Sequence, residues 1–321
     1  MSTVSVIIPN YNGKHFLAPC LEALERQNTG DFDVYVIDNG SQDGSLEFLK
    51  ERHPAVKVIA FAENTGFCHA INEGVKAADS EFVLLLNNDT IPEENFVREL
   101  ISAIKRKKRA FACGACMLTV DDHEILDGAG DLYSAFGWAY ARGKGKRAEF
   151  YKKEEKVFSV CAGAAIYRRD LFLELGLLDE NHFAYMEDMD ICYRAKIRGY
   201  ENWYIPSARV VHVGSGTSGS AHNEFKVSLS SRNNVYVIYK NMPLAQRILN
   251  SPFLAAGFLI KTLFFTKKGF KETYTKGLKE GKKLAKSRSG REKIQKFQSK
   301  YLKNYCKIQL ELWKNLFRRG L

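Results

Sequence analysis

Neither of the common glycine-rich phosphate loops is present in this chain. The first strand-to-helix turn, Asn10-Tyr11-Asn12-Gly13, has no G-x-G-x-x-G, and no G-x-x-x-x-G-K-[ST] occurs anywhere. A hydride-transfer enzyme and a P-loop kinase are thereby disfavoured. No basic stretch followed by an apolar one opens the sequence, so a secretory signal is not expected. The most apolar later stretch, Phe253–Phe265, is interrupted by Lys261 and is too short to span a bilayer. Cysteine follows no repeating spacing: there are 7, an odd number, and Cys113 and Cys116 form a C-x-x-C with no second pair to complete a zinc site. Reduced, mostly buried thiols and a cytoplasmic location are the expectation. Acidic residues are scarce near the C-terminus. Residues 240–321 hold 21 Lys+Arg against 4 Asp+Glu, a balance of +17, which leaves −6 for residues 1–239 within a total of +11. That asymmetry separates two functional regions.

What the sequence does contain is a globular composition, 45% hydrophobic and 26% charged over 321 residues, enough for one large domain or two ordinary ones. Apolar strand-like runs at Val4–Pro9, Val34–Ile37, Val56–Phe61 and Phe82–Leu86 alternate with helical periodicity at 16–24, after Gly44 and over 67–78. Four alternations within ninety residues predict an α/β fold with a mostly parallel sheet. Each strand runs into a loop rich in Asn, Asp and Gly, and such loops line one rim of the sheet, where ligands gather. Asp89 stands where the apolar run Phe82–Leu86 meets solvent, placed to hold a divalent cation under a diphosphate. Asn87 and Asn88 could instead shape a turn. A helix is expected over 93–109, where the basic run Lys105–Arg109 reads as a solvated helix end. Residues 110–160 give no clear periodicity.

Past Val160 the pattern sharpens. Small residues at Ala162–Ala165 permit close approach of a ligand or backbone. A helix ends at Gly176, and Glu187, Asp188 and Asp190 open another, whose dipole favours the ionised form of carboxylates at its start. Asp190 has Arg194 four residues on, so an ion pair explains it. Ala208–Val213 is a strand carrying His212, followed by a flexible Gly214–Gly219. Taken alone, His212 reads as a near-core histidine.

The segments VSVIIPNYNG, VIDNGSQDGS, ENTGFCHAINEG, LLLNNDT, AYMEDMDICYRAKIRGY, VVHVGSG and SRNNVYVIYKNMP occur in this order over roughly residues 1–245. In this set the chain resembles the family 2 glycosyltransferases of the GT-A fold, especially the bacterial rhamnosyltransferase-like branch acting on cell-surface polysaccharides. The resemblance implies a GT-A catalytic domain over 1–240, its nucleotide-sugar half at about 1–110 and its acceptor half at about 111–240, with 241–321 a basic helical extension. It implies nucleotide-sugar contacts from Pro9, Asn10, Tyr11, Asp38, Asp43, Asn64, Gly66 and Asn88, and Mn²⁺ or Mg²⁺ held by Asp89 and His212. Gly66 would let a phosphate approach closely. Asp188 becomes the catalytic base with Glu187 orienting it, and Gly163, Tyr185 and Glu187 meet the acceptor. The reaction implied is an inverting transfer, L-rhamnose from dTDP-rhamnose or otherwise a sugar from a UDP donor, to a glycan or lipid-linked acceptor. The family often carries D-x-D or D-D at the metal strand; Asn87 stands at the first position here, and an amide is a weaker ligand than a carboxylate.

In the tail, apolar Phe253, Leu254, Phe258, Leu259, Leu263, Phe264 and Phe265 lie beside dense lysines. Two readings fit: a helix lying on an anionic membrane at its inner face, or a helical appendage packed on the catalytic domain or on a second subunit as a homo-oligomer. A nucleic-acid-binding protein using the basic tail is the rival from another class, opposed by the lack of a recognised motif. A sugar nucleotidyltransferase is the enzymatic rival, opposed by an amino-terminal loop with one glycine and no arginine.

Overall fold

The computed structural model describes residues 2–214 and 222–318; the glycine-rich segment expected to be flexible falls, beyond Gly214, outside the described residues. β1 (Val4–Asn10), α1 (Lys14–Glu25), β2 (Phe32–Asp38), α2 (Ser45–Arg52), β3 (Lys57–Ala60), α3 (Phe67–Ala77) and β4 (Phe82–Leu86) alternate as the apolar periodicity predicts. β1 pairs in parallel with β2 and with β4, and β2 with β3. The central strands are buried on both faces, and their period of two divides the side chains between two layers. Val4, Val6 and Ile8 of β1 pack with α1, whereas Ile7 packs with α3.

The stretch that gave no clear periodicity holds one long buried strand followed by strands of three residues. β5 (Thr90–Pro92) leads into α4 (Phe96–Arg106), then β6 (Ala110–Thr119), β7 (Leu126–Gly128), β8 (Asp131–Tyr133), β9 (Ala139–Ala141) and β10 (Glu155–Val157). β11 (Ala164–Arg168), α5 (Arg169–Glu174), α6 (Glu187–Ile197), β12 (Glu201–His212) and α7 (Glu224–Asn241) follow. The main sheet runs β10-β12-β6-β11-β4-β1-β2-β3, with β5 added to β12 and β7 to β6. β11 is antiparallel to both β4 and β6, while β6 and β12 are parallel to each other. Two expectations change. β12 is one long strand from Glu201, and the register slips between Ile205 and Arg209, where a bulge accommodates Pro206. The basic run after α4 is engaged: Arg106 and Lys107 pair with Glu154, Lys107 also lies over the Trp203 ring, and Arg109 donates to the Gly199 carbonyl.

Beyond α7 come α8 (Leu244–Leu249), α9 (Ser251–Lys267), α10 (Lys271–Lys286), α11 (Arg288–Glu292) and α12 (Leu302–Phe317). α10 lies against α7 through Gly277 and Gly281, where a Cβ would meet Ser231 Oγ at 1.9 Å and the Arg232 carbonyl oxygen at 2.3 Å. Small residues four apart let the two backbones approach this closely. Tyr305, Ile308 and Leu312 of α12 share a core with Tyr133, Met189, Tyr193 and Val237. Among the described residues no helix is long and apolar enough to cross a membrane, and the cysteines are free thiols, all but Cys306 buried or half-buried.

Candidate active site

The ends of β1, β2 and β4 meet on one rim, joined by a chain of side chains. The Asn88 amide donates to Asn10 Oδ1 at 2.8 Å, and the Asn10 amide donates to Asp38 Oδ2 at 2.9 Å. Asp38 Oδ1 accepts the Ser41 N–H at 3.0 Å. This network is tight: a Cβ on Gly13 would lie 2.1 Å from the Asn88 amide nitrogen. Pro9 sits one residue before Asn10 on β1, and Tyr11, just beyond it, holds its ring exposed over the rim. Asp43 fastens two backbones, accepting from the Lys14 N–H at 2.8 Å and from the Ser45 N–H at 3.1 Å. Burial raises its pKa, but these bonds outweigh burial and hold it below the usual carboxylate range.

Asn64 Oδ1 accepts from the Gly66 N–H and from the Asn39 amide, both at 3.0 Å. Gly66 has φ +91°, and a Cβ there would lie 2.5 Å from the Phe183 ring. Glycine is required at 66 by its positive φ and by the close approach of the Phe183 ring. The same contact brings the loop before α6 onto the nucleotide rim, where the Cys68 N–H also donates to the Phe183 carbonyl at 3.1 Å.

Asp89 and His212, 123 positions apart in the sequence, are neighbours because β5 pairs with β12. His212 Nε2 lies 3.4 Å from Asp89 Oδ1, and His212 Nδ1 lies 2.8 Å from Asp127 Oδ2 on β7. Burial lowers the pKa of His212, but Asp127 and Asp89 outweigh burial and raise it to about 9. Asp127 is itself held by Lys144 at 2.5 Å. A carboxylate oxygen and an imidazole nitrogen side by side, with the other ring nitrogen bonded to a carboxylate, is a donor set that fits a divalent cation. Among the described residues no three His, Cys, Asp or Glu side chains form a group able to hold an ion by themselves.

At the start of α6, Glu187 is buried and its Oε2 has no hydrogen-bond partner, while Asp188 is half-buried and bonds the Met189 N–H at 2.6 Å. The helix dipole was expected to keep these carboxylates ionised. Burial overrides it: the pKa of Asp188 is raised, and burial together with the Asp188 charge pushes Glu187 up to about 8. Asp131 on β8 faces the same cluster and is also raised, first by burial and then by Asp188. Asp188 in addition accepts from the Ala162 N–H. The next residue, Gly163, abuts Asn87, whose N–H donates to the Gly163 carbonyl at 2.9 Å. Base candidate, small-residue segment and metal strand are thus contiguous.

The loop delivering α6 is strained, with Phe183, Tyr185 and Met186 at φ 62°, 68° and 70°. It is held from α7. The Asn233 amide nitrogen lies 2.9, 2.8 and 2.8 Å from the carbonyl oxygens of His182, Ala184 and Tyr185, and Arg232 reaches those of Asn181 and His182 at 2.9 and 2.8 Å. Below the loop, Asp190 pairs with Arg194 at 2.8 Å, as their spacing predicted, and with buried Lys240 at 2.8 Å; Lys240 also holds Asp179 at 2.7 Å. Burial opposes ionisation of Asp190, yet Arg194 and Lys240 keep it well below the usual range. Asp190 therefore ties α6 to α7.

The structure brings Asn10, Asp38 and Asn88 together, sets Asp89 beside His212, and joins Asp188 to the segment at Gly163 through the Ala162 N–H, while Tyr185 lies in the loop held by Asn233. Sequence reasoning missed Asn39, Asp127, Asp131, Asn233 and Lys240. Asn233 and Lys240 fall inside a quoted segment, but nothing local showed what they hold. Asp127 and Asp131 lie in the stretch that gave no periodicity.

The family model described as Glycosyl transferase family 2 matches residues 5–176, more than half of the chain. N-acetylglucosaminyl-diphospho-decaprenol L-rhamnosyltransferase of Mycobacterium tuberculosis is 27% identical over 234 residues, 66% of this chain and 75% of that protein. Chondroitin synthase of Escherichia coli is 31% identical over 146 residues, 44% of this chain and 20% of that protein. Among solved structures, GalNAc-T7 with UDP, GalNAc and Mn²⁺ superposes with a TM-score of 0.61 at 20% identity, over 75% of this chain and 48% of that one. This chain thus spans about half the length of GalNAc-T7. S. aureus TarS 1-349 in complex with UDP gives a TM-score of 0.59 at 16% identity, over 100% of this chain and 92% of that one. Those two likenesses show the fold. The protein belongs to glycosyl transferase family 2 and is a glycosyltransferase of the GT-A fold.

Proposed function

We propose that this glycosyltransferase moves a sugar from a nucleoside-diphosphate donor to a hydroxyl of a glycan or lipid-linked acceptor in cell-surface polysaccharide synthesis, inverting the anomeric centre. The observation that carries the reading is the contiguity of the Asn10–Asp38–Asn88 network, the Asp89–His212 pair and Asp188 on one rim. Pro9, Tyr11 and Asp38 bracket the base, with Asp38 accepting a pyrimidine N3–H. Asp43, Asn64, Gly66 and Asn88 border the ribose and diphosphate. Asp89 and His212 hold Mn²⁺ or Mg²⁺, with imidazole favouring Mn²⁺. When bound, the cation supplies positive charge to the leaving diphosphate.

Asp188 takes the proton from the acceptor hydroxyl as that oxygen bonds to the anomeric carbon and the bond to the diphosphate breaks. Glu187, the more strongly raised of the pair, keeps a proton while Asp188 is ionised, so two adjacent carboxyls divide the roles. Gly163, Tyr185 and Glu187 line the acceptor side, and Asp127 orients His212. The catalytic unit is residues 1–240, with 241–321 its helical extension at the inner face of a membrane; assembly of copies through those helices is a second reading of the same segment.

The L-rhamnosyltransferase of Mycobacterium tuberculosis supports L-rhamnose as the transferred sugar, for which dTDP-rhamnose is the donor we favour, and the TarS complex with UDP supports a uridine-diphosphate donor. Incubation with a panel of dTDP-, UDP- and GDP-sugars plus Mn²⁺ or Mg²⁺ tests this. Release of nucleoside diphosphate with one donor is the expected result. No release with any donor, by a protein that binds nucleotide, would count against it.

A further inference from the structure

Between its ends helix α9 is apolar on its inner and outer faces alike, apart from Lys261, which lies over the Trp138 ring at 5.8 Å, and Thr262. Its inner face meets the catalytic domain: Leu254 and Gly257 are buried, the Gly257 carbonyl accepts Trp138 Nε1 at 3.1 Å, and a Cβ on Gly257 would lie 2.3 Å from the Phe136 carbonyl oxygen. Its outer face carries Pro252, Ala256, Leu259 and Leu263 at helical spacing, with Leu259 61% and Leu263 56% exposed and Ile260 beside them. The preceding helix α8 exposes Leu244 and Ile248, each 64%. A helix on the surface of a domain normally turns charge towards water on that side. A helix whose outer face is apolar and exposed while its inner face is already covered calls for a second cover.

Charge selects the cover. Lys267, Lys268 and Lys271 are exposed where α9 ends and α10 begins, within the segment whose balance is +17. A second copy seated here would set two such segments against each other, and like charges oppose that contact. An anionic lipid surface satisfies both halves, with the apolar side chains at the acyl boundary and the lysines among the headgroups. We propose that the outer face of α9, with the exposed Leu244 and Ile248 of α8 and the lysines at 267, 268 and 271, is a docking surface for an anionic lipid bilayer.

The surface stands close to the chemistry. Asp131 faces Asp188, and Phe136, five residues further on, touches Gly257. Five residues span at most about 18 Å, a helix is about 10 Å thick, and interacting carboxylates lie within roughly 10 Å, which puts Asp188 within about 40 Å of the outer face of α9. The inference rests on the proposed lipid-linked acceptor for its purpose, and on the helix alone for its physics.

The test sediments the full-length protein with vesicles of phosphatidylcholine alone and with vesicles containing about one-third phosphatidylglycerol. At low salt, binding to the anionic vesicles should exceed binding to the neutral ones by about tenfold or more. A Leu259→Ser/Leu263→Ser variant and a Lys267→Glu/Lys268→Glu variant should each lose about tenfold in binding while releasing nucleoside diphosphate from donor at the unmodified rate. The lysine pair is exposed at a helix end, so that variant folds even if the leucine pair does not. Equal affinity for neutral and anionic vesicles, no binding by the unmodified protein, or unchanged binding by the lysine variant would each overturn the proposal. So would a dimer in solution that the leucine substitutions dissolve. Vesicle binding without nucleoside diphosphate release would instead count against the catalytic reading and leave the docking surface standing.

Discussion

Replacing Asn233 with alanine isolates what the strained loop contributes. Its amide supplies two N–H groups shared among three carbonyls at 2.8–2.9 Å, all on the turn that presents Glu187 and Asp188. Two such bonds, and the buried carbonyls left without partners, amount to about 3 kcal/mol. Phe183, Tyr185 and Met186 each sit at positive φ, at a cost of roughly 1 kcal/mol apiece, so the loop has a comparable incentive to relax. Arg232 still holds Asn181 and His182, and Phe225 of α7 still meets the Phe183 and Tyr185 rings, but the Asn233 bonds to the Ala184 and Tyr185 carbonyls are lost. A shift of about 3 kcal/mol changes the population of the productive loop roughly 100-fold. The expected result of Asn233→Ala is a kcat at least about tenfold lower with a smaller change in donor KM, because on the proposed roles the loop presents the base and the acceptor side and meets the donor side only through Phe183. Steady-state release of nucleoside diphosphate across donor concentrations reads both constants, and circular dichroism verifies folding. A folded variant with kcat within about twofold of the unmodified enzyme would refute the reasoning.

Asp188→Asn should retain donor binding by calorimetry and lose transfer by a factor on the order of 10² to 10⁴; transfer at the normal rate would remove Asp188 from the base role. Asp127→Ala leaves His212 Nδ1 without its 2.8 Å partner, and Mn²⁺ affinity by electron paramagnetic resonance should fall about 10- to 100-fold, with an unchanged affinity counting against a positioning role. Burial lowers the pKa of His182 to about 4, below the usual 6.5 of an unfolded histidine. The unfolded chain then binds the extra proton first, so the stability His182 contributes is fully present above about pH 6.5 and is lost as pH falls towards 4, about 3 kcal/mol in all. Urea midpoints should drop across that window less steeply in His182→Gln than in the unmodified protein; identical slopes would show that His182 does not titrate there.

The first ninety residues were legible because each central strand is buried on both faces and each loop carries its polar residues together, so periodicity and turn chemistry agree. Asp89 and His212 could be named because each closes a segment of recognisable type, yet their 3.4 Å approach depends on β5 pairing with β12, which no local pattern encodes. Strands of three residues such as β7 and β8 are too short to show a period, so Asp127 and Asp131 left no signal. The dipole argument fell short at Glu187 for a related reason. Helix position can be read from sequence, whereas the burial that raises Glu187 comes from the elements packed around it. In the tail, dense lysine obscured the inward faces of α10 and α12, which pack through glycine and apolar residues on the far side from the charge.

The glycine pair of α10 has a mechanical consequence. Gly277 and Gly281 seat that helix on the Ser231 side chain and the Arg232 carbonyl, two residues and one residue before Asn233, and so it splints the part of α7 that grips the loop before Glu187 and Asp188. A side chain at either glycine would lever α7 outward and carry Asn233 with it. The extension is thus a brace for the reaction centre as well as a tail, and a chain shortened to end after α7 would keep its carboxylates while losing the rigidity that aims them.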